Sequence, residues 1–499
     1  MNFPAAPPIA RPAQPFTPGI APARVRARAW LAAACVLGAI AVPGVAAAPA
    51  SNEFASFERP FAPDSPWNRR PHRPELGDYR IPPTPYHPFV GIGDYSTGVF
   101  RCRPGDPPMR IHGGSSEGVW IVDEGVHRTI EIPCWPAGVQ AAIGSDGHAE
   151  IVDDRRGIIH SFWQLREQAG TWRASQYAWS RLDGSGWPDP AHNHQGARAA
   201  GVPTLGGLIR RHEVDDGEPL YQHALAMSLD GSALRSGYVA PAAGEDNDAA
   251  TRYRGDIPIG SLMMLPAQFD ADGLATPALR KVARTLMAYG AAVVDRNTDT
   301  RFVIYVEQGA RFDLHGKHWN SAAADDLQRI ADALRPMRDH QGWLDGLGRH
   351  IEAPATPNLL SMRGPWQSTG RHAGRAGEAD AYFDSWRQAL VFTKPTAADV
   401  IIQQAPGAQR QTRWAQWEAG ATYRLSARAS GESSLRLRFV DDRERTLWQS
   451  RWLANGEHQD FRAPQDTRYP VLSARSEAGD GAWIRGELRL LPDRDRPRH

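Results

Sequence analysis

Two strands are evident in the C-terminal part of the chain, WEAGATYRLSARA at residues 417–429 and LRLRF at residues 435–439. From residue 421 onward apolar residues alternate with others, which is the period of a strand with one buried face. Similar short strands recur to the end of the chain without a helical period. The pattern predicts an all-β sandwich over residues 358–499.

The sequence IEAPATPN, residues 351–358, separates this sandwich from a longer N-terminal region. Its two prolines and small residues are typical of a linker, which we place at residues 351–357. A chain of 499 residues is too long for a single hydrophobic core. We therefore expect a larger domain at residues 48–350 and the smaller sandwich after the linker.

The larger domain is predicted to be a β-sandwich or jelly roll with one or two helices, which makes the whole chain mainly β. Short strand patterns separated by Gly and Pro turns recur through it. Helical periodicity is confined to residues 277–289 and 322–334, with Thr276 and Ser321 as the expected N-caps.

The N-terminus predicts export. Arg24, Arg26 and Arg28 precede an apolar run at residues 29–42, and small residues follow at 44–48. This order is that of a secretory signal peptide, which we place within residues 1–47. The run is shorter than the ~20 residues of a membrane span, so we expect a secreted or periplasmic protein with no integral membrane segment in the mature chain.

Two cysteines remain after that segment, Cys102 and Cys134. In an exported chain they most simply form one disulfide. No His, Asp or Glu pattern with metal-ligand spacing flanks either cysteine, so we predict no metal site there.

Charge argues against nucleic acid as a partner. The 57 basic and 56 acidic residues give a net charge of +1, and neither sign forms a long run. A nucleic-acid-binding domain needs a basic face, which this balance does not indicate.

The first set of reactive residues lies in GVPTLGGLIRRHEVDDGEPLYQHALAM, residues 201–227, which we interpret as strand, turn, strand. Pairing of the two strands would gather Arg210, Glu213, Tyr221 and His223. An arginine can neutralise a uronate carboxylate while His or Tyr moves a proton. The structural alternative is an Arg210–Glu213 ion pair at a strand end, with His223 as a core residue.

The second set lies in SDGHAEIVDD, residues 145–154, where an Asp-Gly turn leads into an alternating strand. Asp146 and His148 begin this hairpin, and Asp153 and His160 lie across it. Two carboxylates at a suitable separation can hydrolyse a glycoside. Alternatively, Asp146 serves only the turn.

We expect no cofactor. A Ca²⁺ ion held by the acidic loop at residues 245–248 or by Asp183 is the alternative, because such ions prefer oxygen ligands. The loop lacks the spacing of a calcium-binding loop, so we interpret it as solvated surface. His192 and His194 are likewise interpreted as surface residues.

The C-terminal region resembles carbohydrate-binding modules of the jelly-roll type. The resemblance rests on Trp417, Ala419-Gly420 and Tyr423 before two alternating strands, and on Asn358-Leu-Leu with Trp366. It implies a jelly-roll fold and a role in binding sugar. The same motif also occurs in sandwiches that bind nothing, so a purely structural module is the alternative.

The larger domain is similar to a group of secreted bacterial β-rich proteins of undescribed function. The shared segments are Asp64-Ser-Pro-Trp-Asn68, Ser145-Asp-Gly-His148, Phe162-Trp-Gln164, Leu205-Gly-Gly-Leu-Ile-Arg210 with Glu213, and His223-Ala-Leu225. This similarity implies secretion and a β-rich fold, and it implies no activity.

Together these patterns predict a secreted carbohydrate-active enzyme that cleaves an extracellular polysaccharide, as a glycoside hydrolase or a polysaccharide lyase. Tryptophans are expected to stack on the sugar rings, namely Trp163, Trp179, Trp187, Trp366 and Trp417. The alternative is a non-catalytic glycan-binding or cell-envelope protein.

Overall fold

The computed structural model describes residues 53–115, 117–121, 125–189, 191–316, 318–351, 358–369, 380–397, 400–404 and 418–491. The predicted signal peptide, residues 352–357 of the predicted linker and Trp417 lie outside these ranges. In the described residues the chain is mainly β, as predicted.

The strands of residues 53–351 are β1 (Arg70–Pro71), β2 (Pro74–Leu76), β3 (Phe89–Gly91), β4 (Gly98–Arg101), β5 (Met109–Gly113), β6 (Val119–Ile121), β7 (Gly125–His127), β8 (Thr129–Ile132), β9 (Ala149–Asp153), β10 (Ile158–Trp163), β11 (Arg166–Gln168), β12 (Thr171–Ala174), β13 (Gln176–Arg181), β14 (Leu225–Asp230), β15 (Leu234–Tyr238), β16 (Ile257–Ile259), β17 (Leu262–Met264), β18 (Ala291–Asn297), β19 (Phe302–Tyr305), β20 (Arg335–His340), β21 (Trp343–Leu344) and β22 (His350–Ile351). The helices are α1 (Ala249–Arg252), α2 (Pro277–Ala288), α3 (Ser321–Ala333) and a short 3-10 helix (Arg211–Glu213).

The strands of residues 358–491 are β23 (Trp366–Thr369), β24 (Ala381–Asp384), β25 (Ala389–Phe392), β26 (Ile401–Gln404), β27 (Thr422–Ala429), β28 (Ser433–Val440), β29 (Thr446–Gln449), β30 (His458–Arg462), β31 (Tyr469–Ser476) and β32 (Trp483–Leu490). They form two five-stranded sheets, ordered β23-β26-β31-β28-β29 and β24-β25-β32-β27-β30. This is the sandwich that the alternating pattern predicts.

Strand β27 shows how the pattern produces the sandwich. Tyr423, Leu425 and Ala427 are buried in the core between the sheets, whereas Thr422 and Arg424 point outward and are exposed. Burial of a large apolar side chain stabilises the fold by about 1.5–3 kcal/mol, which fixes the register because a slip of one residue would expose every apolar side chain of the strand.

Residues 53–351 contain three sheets of four or more strands, with helices beside one of them. A six-stranded sheet (β4-β9-β10-β13-β6-β7) and a four-stranded sheet (β11-β12-β5-β8) share one apolar core. A mixed seven-stranded sheet (β2-β20-β17-β18-β14-β19-β3) shares a second core with α2 and α3. None of the helices among the described residues combines the length and apolarity needed to cross a membrane.

The helices begin and end close to the predicted bounds, but their caps differ from the expected ones. The side chain of Thr276 makes no capping bond, and the carboxylate of Asp326 on α3 instead accepts the backbone N–H groups of Ala275 and Thr276. Asn320, not Ser321, caps α3 by accepting the N–H of Ala323 at 3.2 Å. A carboxylate beside the positive end of α2 also stabilises that helix electrostatically.

The predicted strand–turn–strand at residues 201–227 is wrong. This stretch consists of turns and the 3-10 helix, and only its last residues, from Leu225, enter a strand. Turn residues such as Gly207, whose φ is +68° and whose position leaves no room for a Cβ beside Trp67, break the alternation that a strand requires.

The predicted disulfide is present. Cys102 and Cys134 are bonded, and both are buried in the core that the six- and four-stranded sheets share. The bond closes a loop with a sequence separation of 32, which restricts the unfolded chain and thereby favours the folded state.

Candidate functional site

The candidate site lies between the six-stranded and the seven-stranded sheets. Val152 of β9 and Ile159 of β10 belong to the core of the seven-stranded sheet, so this face of the six-stranded sheet is turned toward it. Glu150, Ser161 and Trp163 share that face, because side chains two residues apart on a strand point the same way. Polar groups are thereby placed within an apolar layer.

Glu150 is a buried carboxyl group that accepts three hydrogen bonds. Ser161 donates its hydroxyl at 2.7 Å, and Thr204 donates its hydroxyl and its backbone N–H at 2.6 Å each. Burial raises the pKa of Glu150 from its ordinary value of 4.5 to about 7, and the hydrogen bonds offset only part of this increase. The group can therefore carry a proton near neutral pH.

This raised pKa gives a pH-dependent stability that can be measured. Between pH 4.5 and about 7 the folded protein retains a proton that the unfolded chain has lost, so stability falls as the pH rises through this window. We expect the unfolding free energy, from urea titrations at pH 4.5 and 7.5, to fall about 1–3 kcal/mol more in the unmodified protein than in Glu150→Gln. Equal falls in both proteins would contradict the raised pKa.

A tight turn presents the next two residues of the site. Gly147 has a φ of +46°, a conformation that favours glycine, and a Cβ there would collide with Arg166. The Arg166 guanidinium holds the turn by donating to the carbonyl oxygens of Leu165 at 2.7 Å and Gly144 at 2.5 Å. This turn is the predicted Asp-Gly turn, and it brings Asp146 and His148 to the site.

Asp146 lies at the partly exposed edge of the site, and His148 is buried beside it. Asp146 is 34% exposed and accepts a hydrogen bond from the indole of Trp163 at 3.3 Å, and its other oxygen lies 3.6 Å from His148 Nε2. Burial raises the pKa of Asp146, but its interactions with His148 and Trp163 and the charge of Arg198 together bring it below its ordinary value. Burial lowers the pKa of His148. A carboxylate therefore stands beside a neutral imidazole near pH 7.

Arg198 joins these groups to the seven-stranded sheet. Its side chain is 2% exposed, its guanidinium lies 3.8 Å from the centre of the Tyr305 ring, and its Nη1 lies 3.4 Å from Asp295. The loop that carries Arg198 is held by two backbone hydrogen bonds. The N–H of Arg198 donates to the carbonyl oxygen of Val202, and the N–H of Gly201 donates to the carbonyl oxygen of Arg198. The positive charge of Arg198 lowers the pKa of the surrounding acidic groups and of His148.

We call the resulting set the Arg198 cluster: Asp146, His148, Glu150, Arg198, Asp295 and Tyr305. Burial raises the pKa of Asp295 to about 7 and that of Tyr305 to about 12, in both cases against the effect of the arginine. Asp295 is 17% exposed, so it and Asp146 are the carboxyl groups of the cluster that solvent reaches.

Four buried nitrogen atoms in the cluster have no hydrogen-bond partner among the described residues. They are Nε and Nη2 of Arg198 and both ring nitrogens of His148. Buried polar groups in folded proteins nearly always have partners, and an unpartnered one costs about 1–3 kcal/mol. The cluster therefore has donors and an acceptor available for a ligand that carries oxygen atoms.

Arg210, which the sequence predicts to be a catalytic residue, is not part of an open site. Arg210 is buried, its Nε donates to Glu307 at 2.8 Å, and its Nη1 donates to the carbonyl oxygen of Phe57 at 2.8 Å. Glu213 accepts the backbone N–H of Arg210 at 2.8 Å and lies 3.1 Å from His223. The expected set therefore converges, but it forms a network in which each charged group has a protein partner.

Tyr221 and His223 are also enclosed. Tyr221 is buried in the main core beneath Lys281, whose ammonium lies 4.6 Å from the centre of its ring. His223 Nδ1 lies 2.9 Å from the carbonyl oxygen of Ala224. Burial lowers the pKa of His223, but the nearby Glu213 raises it more, so that it lies above its ordinary value. The enclosed His223 agrees with the structural alternative, but the ion pair predicted between Arg210 and Glu213 is not formed, because the Arg210 side chain pairs with Glu307.

Four of the tryptophans proposed to bind sugar lie in the described residues, and two of them are buried. Trp163 is half-buried at the Arg198 cluster, and Trp366 is half-buried on β23 with its indole N–H bonded to Met362. Trp179 and Trp187 are only 1% and 2% exposed, so their rings pack against protein and leave no face for a sugar. His192, interpreted from the sequence as a surface residue, is buried against the Trp179 ring.

The acidic groups considered for Ca²⁺ are bonded to protein groups. Glu245 accepts the N–H of Gly237 at 2.7 Å, Asp246 accepts the hydroxyl of Tyr253, Asp248 pairs with an arginine and Asp183 pairs with Arg181. Within the part of the chain that the structure describes, one group of His, Cys, Asp or Glu side chains is close enough to share a metal. It contains Cys102 and Cys134, whose sulfur atoms are bonded to each other.

Four members of the Arg198 cluster were missed by reasoning from the sequence. Asp146 and His148 belong to a motif, but Glu150, Arg198, Asp295 and Tyr305 come from separate strands and a loop. Only Glu150 could have been found from the sequence. It occupies an inward position of an alternating strand, and a carboxylate at such a position needs a buried partner.

Comparison with known proteins finds partial resemblances. No family model and no curated protein matches the chain. The xylan-binding domain CBM22-1 of Paenibacillus barcinonensis Xyn10C is 13% identical over 28% of this chain and 99% of that one, with a TM-score of 0.18. The family 22 carbohydrate-binding module of Clostridium thermocellum Xyn10B is 18% identical over 26% and 82%, with a TM-score of 0.14. Accessory secretory proteins 1, 2 and 3 of Streptococcus pneumoniae give 13% identity over 25% and 92%, with a TM-score of 0.19.

Proposed function

We propose that this protein is a secreted carbohydrate-active enzyme that cleaves an extracellular polysaccharide by acid/base chemistry at the Arg198 cluster. The observation that carries the proposal is the buried guanidinium of Arg198 with two nitrogen atoms that lack a partner. Such a group is costly in the free protein and gains its partners when a ligand oxygen arrives. A planar guanidinium is suited to a carboxylate, which it can bind through two N–H groups.

The protonation states of the cluster support eliminative cleavage of a uronate-containing chain. Arg198 would neutralise the uronate carboxylate and so acidify the C–H bond beside it. His148, neutral because burial lowers its pKa, would accept that proton. The bond to the leaving sugar oxygen would break as the double bond forms, and Asp295, whose pKa is about 7, would donate a proton to that oxygen.

Hydrolysis is the second candidate, and a separate observation favours it. Asp146 has a lowered pKa and Asp295 a raised one, so one carboxyl group is ionised while the other can carry a proton. Pairs of carboxyl groups whose pKa values are driven apart in this way serve as base and acid in glycoside hydrolysis.

We also propose that the protein is exported and that its C-terminal sandwich binds sugar. Residues 1–47 have the order of a signal peptide, and the C-terminal sandwich shares its sequence pattern with carbohydrate-binding modules. We propose that this sandwich binds the polysaccharide on which the Arg198 cluster acts.

The test is a panel of neutral and uronate-containing polysaccharides incubated with the purified mature chain. Unsaturated uronate absorbance is expected for elimination, and new reducing ends without that absorbance for hydrolysis. Binding to a polysaccharide without either product would instead support the non-catalytic alternative and would overturn the enzymatic proposal.

A further inference from the structure

A second polar site lies where residues 53–351 meet the C-terminal sandwich. It is a cavity of about 540 Å³ lined by five arginines, Arg156, Arg181, Arg387, Arg428 and Arg485. Arg156 and Arg181 flank the paired ends of β10 and β13, and Arg387 lies in the turn between β24 and β25. Arg428 and Arg485 face each other on the paired strands β27 and β32. We call this cavity the arginine groove.

The groove has an excess of positive charge. Arg156 pairs with Asp153 at 2.7 Å, Arg181 with Asp183 at 2.8 Å and Arg387 with Asp384 at 3.2 Å. Three carboxylates thus face five arginines, and two positive charges remain.

Arg428 and Arg485 account for that excess. Neither has a carboxylate within ion-pair distance among the described residues, and the nearby Glu487 pairs with Arg489 at 3.2 Å. The Nε of Arg485 is buried without a hydrogen-bond partner in that same part of the chain. Burial lowers the pKa of Arg485, the nearby Glu487 offsets part of this decrease, and the charges of Arg428 and Arg181 add to it. An anion placed here would relieve both the repulsion and the missing hydrogen bond.

Aromatic surface accompanies the charge. Trp386 and Trp483 also line the groove and are half-buried, and Trp386 is fixed by edge contact with the His160 ring at 5.9 Å. A rigid indole offers a large apolar face at low entropic cost, and the adjacent guanidinium groups offer paired N–H donors. This combination suits a chain of sugar rings that carry negative groups.

We propose that the arginine groove binds a polysaccharide bearing carboxylate or sulfate groups, as a site separate from the Arg198 cluster. The choice of a polysaccharide rather than another polyanion rests on the proposed function and on the net charge of +1. The two sites lie on opposite faces of β10. Ile158 lines the groove, and Trp163 contacts the cluster from the other face, about 17 Å further along the strand. The groove therefore holds the polymer without contacting the bond to be cleaved.

The test is affinity electrophoresis of the full chain in gels containing polygalacturonate, dextran sulfate or neutral dextran, with single-stranded DNA as a fourth ligand. We expect retardation by the charged polysaccharides and none by neutral dextran. The double variant Arg428→Gln with Arg485→Gln should bind at least ~10-fold more weakly, because two uncompensated charges and their N–H donors are lost. Retardation by only one of the two charged polymers identifies the anionic group.

Arg424→Gln is the matched control, since Arg424 also points outward from β27 but pairs with Asp460 at 2.7 Å outside the groove. It should bind as the unmodified protein does. Equal binding by the double variant and this control would overturn the proposal, and so would stronger binding to DNA than to either polysaccharide. An Arg198→Gln variant that binds normally but releases no product assigns cleavage to the other site and leaves the groove intact. Loss of product formation in the double variant on short soluble oligosaccharides would contradict the separation of the two sites.

Discussion

Replacing Arg198 by glutamine is expected to reduce kcat/KM for polysaccharide cleavage by about 10³-fold without destabilising the folded protein. The guanidinium is 2% exposed, and its ion pair with Asp295 is long, at 3.4 Å. Two of its nitrogen atoms have no partner in the described chain, so its burial is poorly compensated. When that charge is removed, Asp295 can take up a proton because its pKa is about 7, so little stability is lost. The substrate, in contrast, loses the group that binds its anionic oxygen.

Two measurements on the same protein check this result. Initial rates on the polysaccharide identified by the panel give kcat/KM, and urea unfolding gives the free energy. A loss of activity accompanied by an equal loss of folded protein would contradict the assignment, because Arg198 would then be structural. Glutamine keeps two N–H donors but no charge, so it separates the electrostatic contribution from the hydrogen bonds.

Replacing Arg210 by glutamine is expected to give the opposite outcome, a loss of about 3 kcal/mol of unfolding free energy with kcat/KM retained in the molecules that remain folded. Its ion pair with Glu307 is short and buried on both sides, and its Nη1 also bonds Phe57. Breaking such a pair leaves Glu307 buried with a partly compensated charge, since Arg211 stays 3.1 Å from it.

Arg211→Gln is the control for this second variant, because Arg211 contacts the same carboxylate from an exposed position. We expect it to cost less than ~1 kcal/mol, as exposed ion pairs usually do. If Arg210→Gln kept full stability but lost activity, the catalytic site would lie at Arg210, Glu213 and His223 and not at the Arg198 cluster.

The contrast between these two arginines shows what the sequence could reveal. Both lie in or near one Gly-rich loop region. More reactive residue types lie close in sequence to Arg210, so the sequence pattern favours Arg210 as the catalytic arginine. The difference is the partner. Glu307 lies 97 positions from Arg210 and completes its ion pair, whereas no described group completes the hydrogen bonding of Arg198. Partners that distant along the chain have no sequence signature.

The parts predicted correctly depend on local physics. The alternation of β27, the apolar stripe of α2, the Asp-Gly turn at residue 146 and the pairing of the two exported cysteines all follow from short segments or from elimination. The seven-stranded sheet was not predicted in this form. It pairs β14 with β18 in parallel, and these strands are separated by more than 60 residues.

Asp326 has a consequence for the order in which the protein forms. Its carboxylate, on α3, holds the backbone just before α2, so α2 gains that bond only once a segment some 45 residues later in the chain is in place. The two helices should therefore open and close as one cooperative unit. In hydrogen exchange, amides in the first turn of α2 should share the protection of α3, and Asp326→Asn should speed exchange in both.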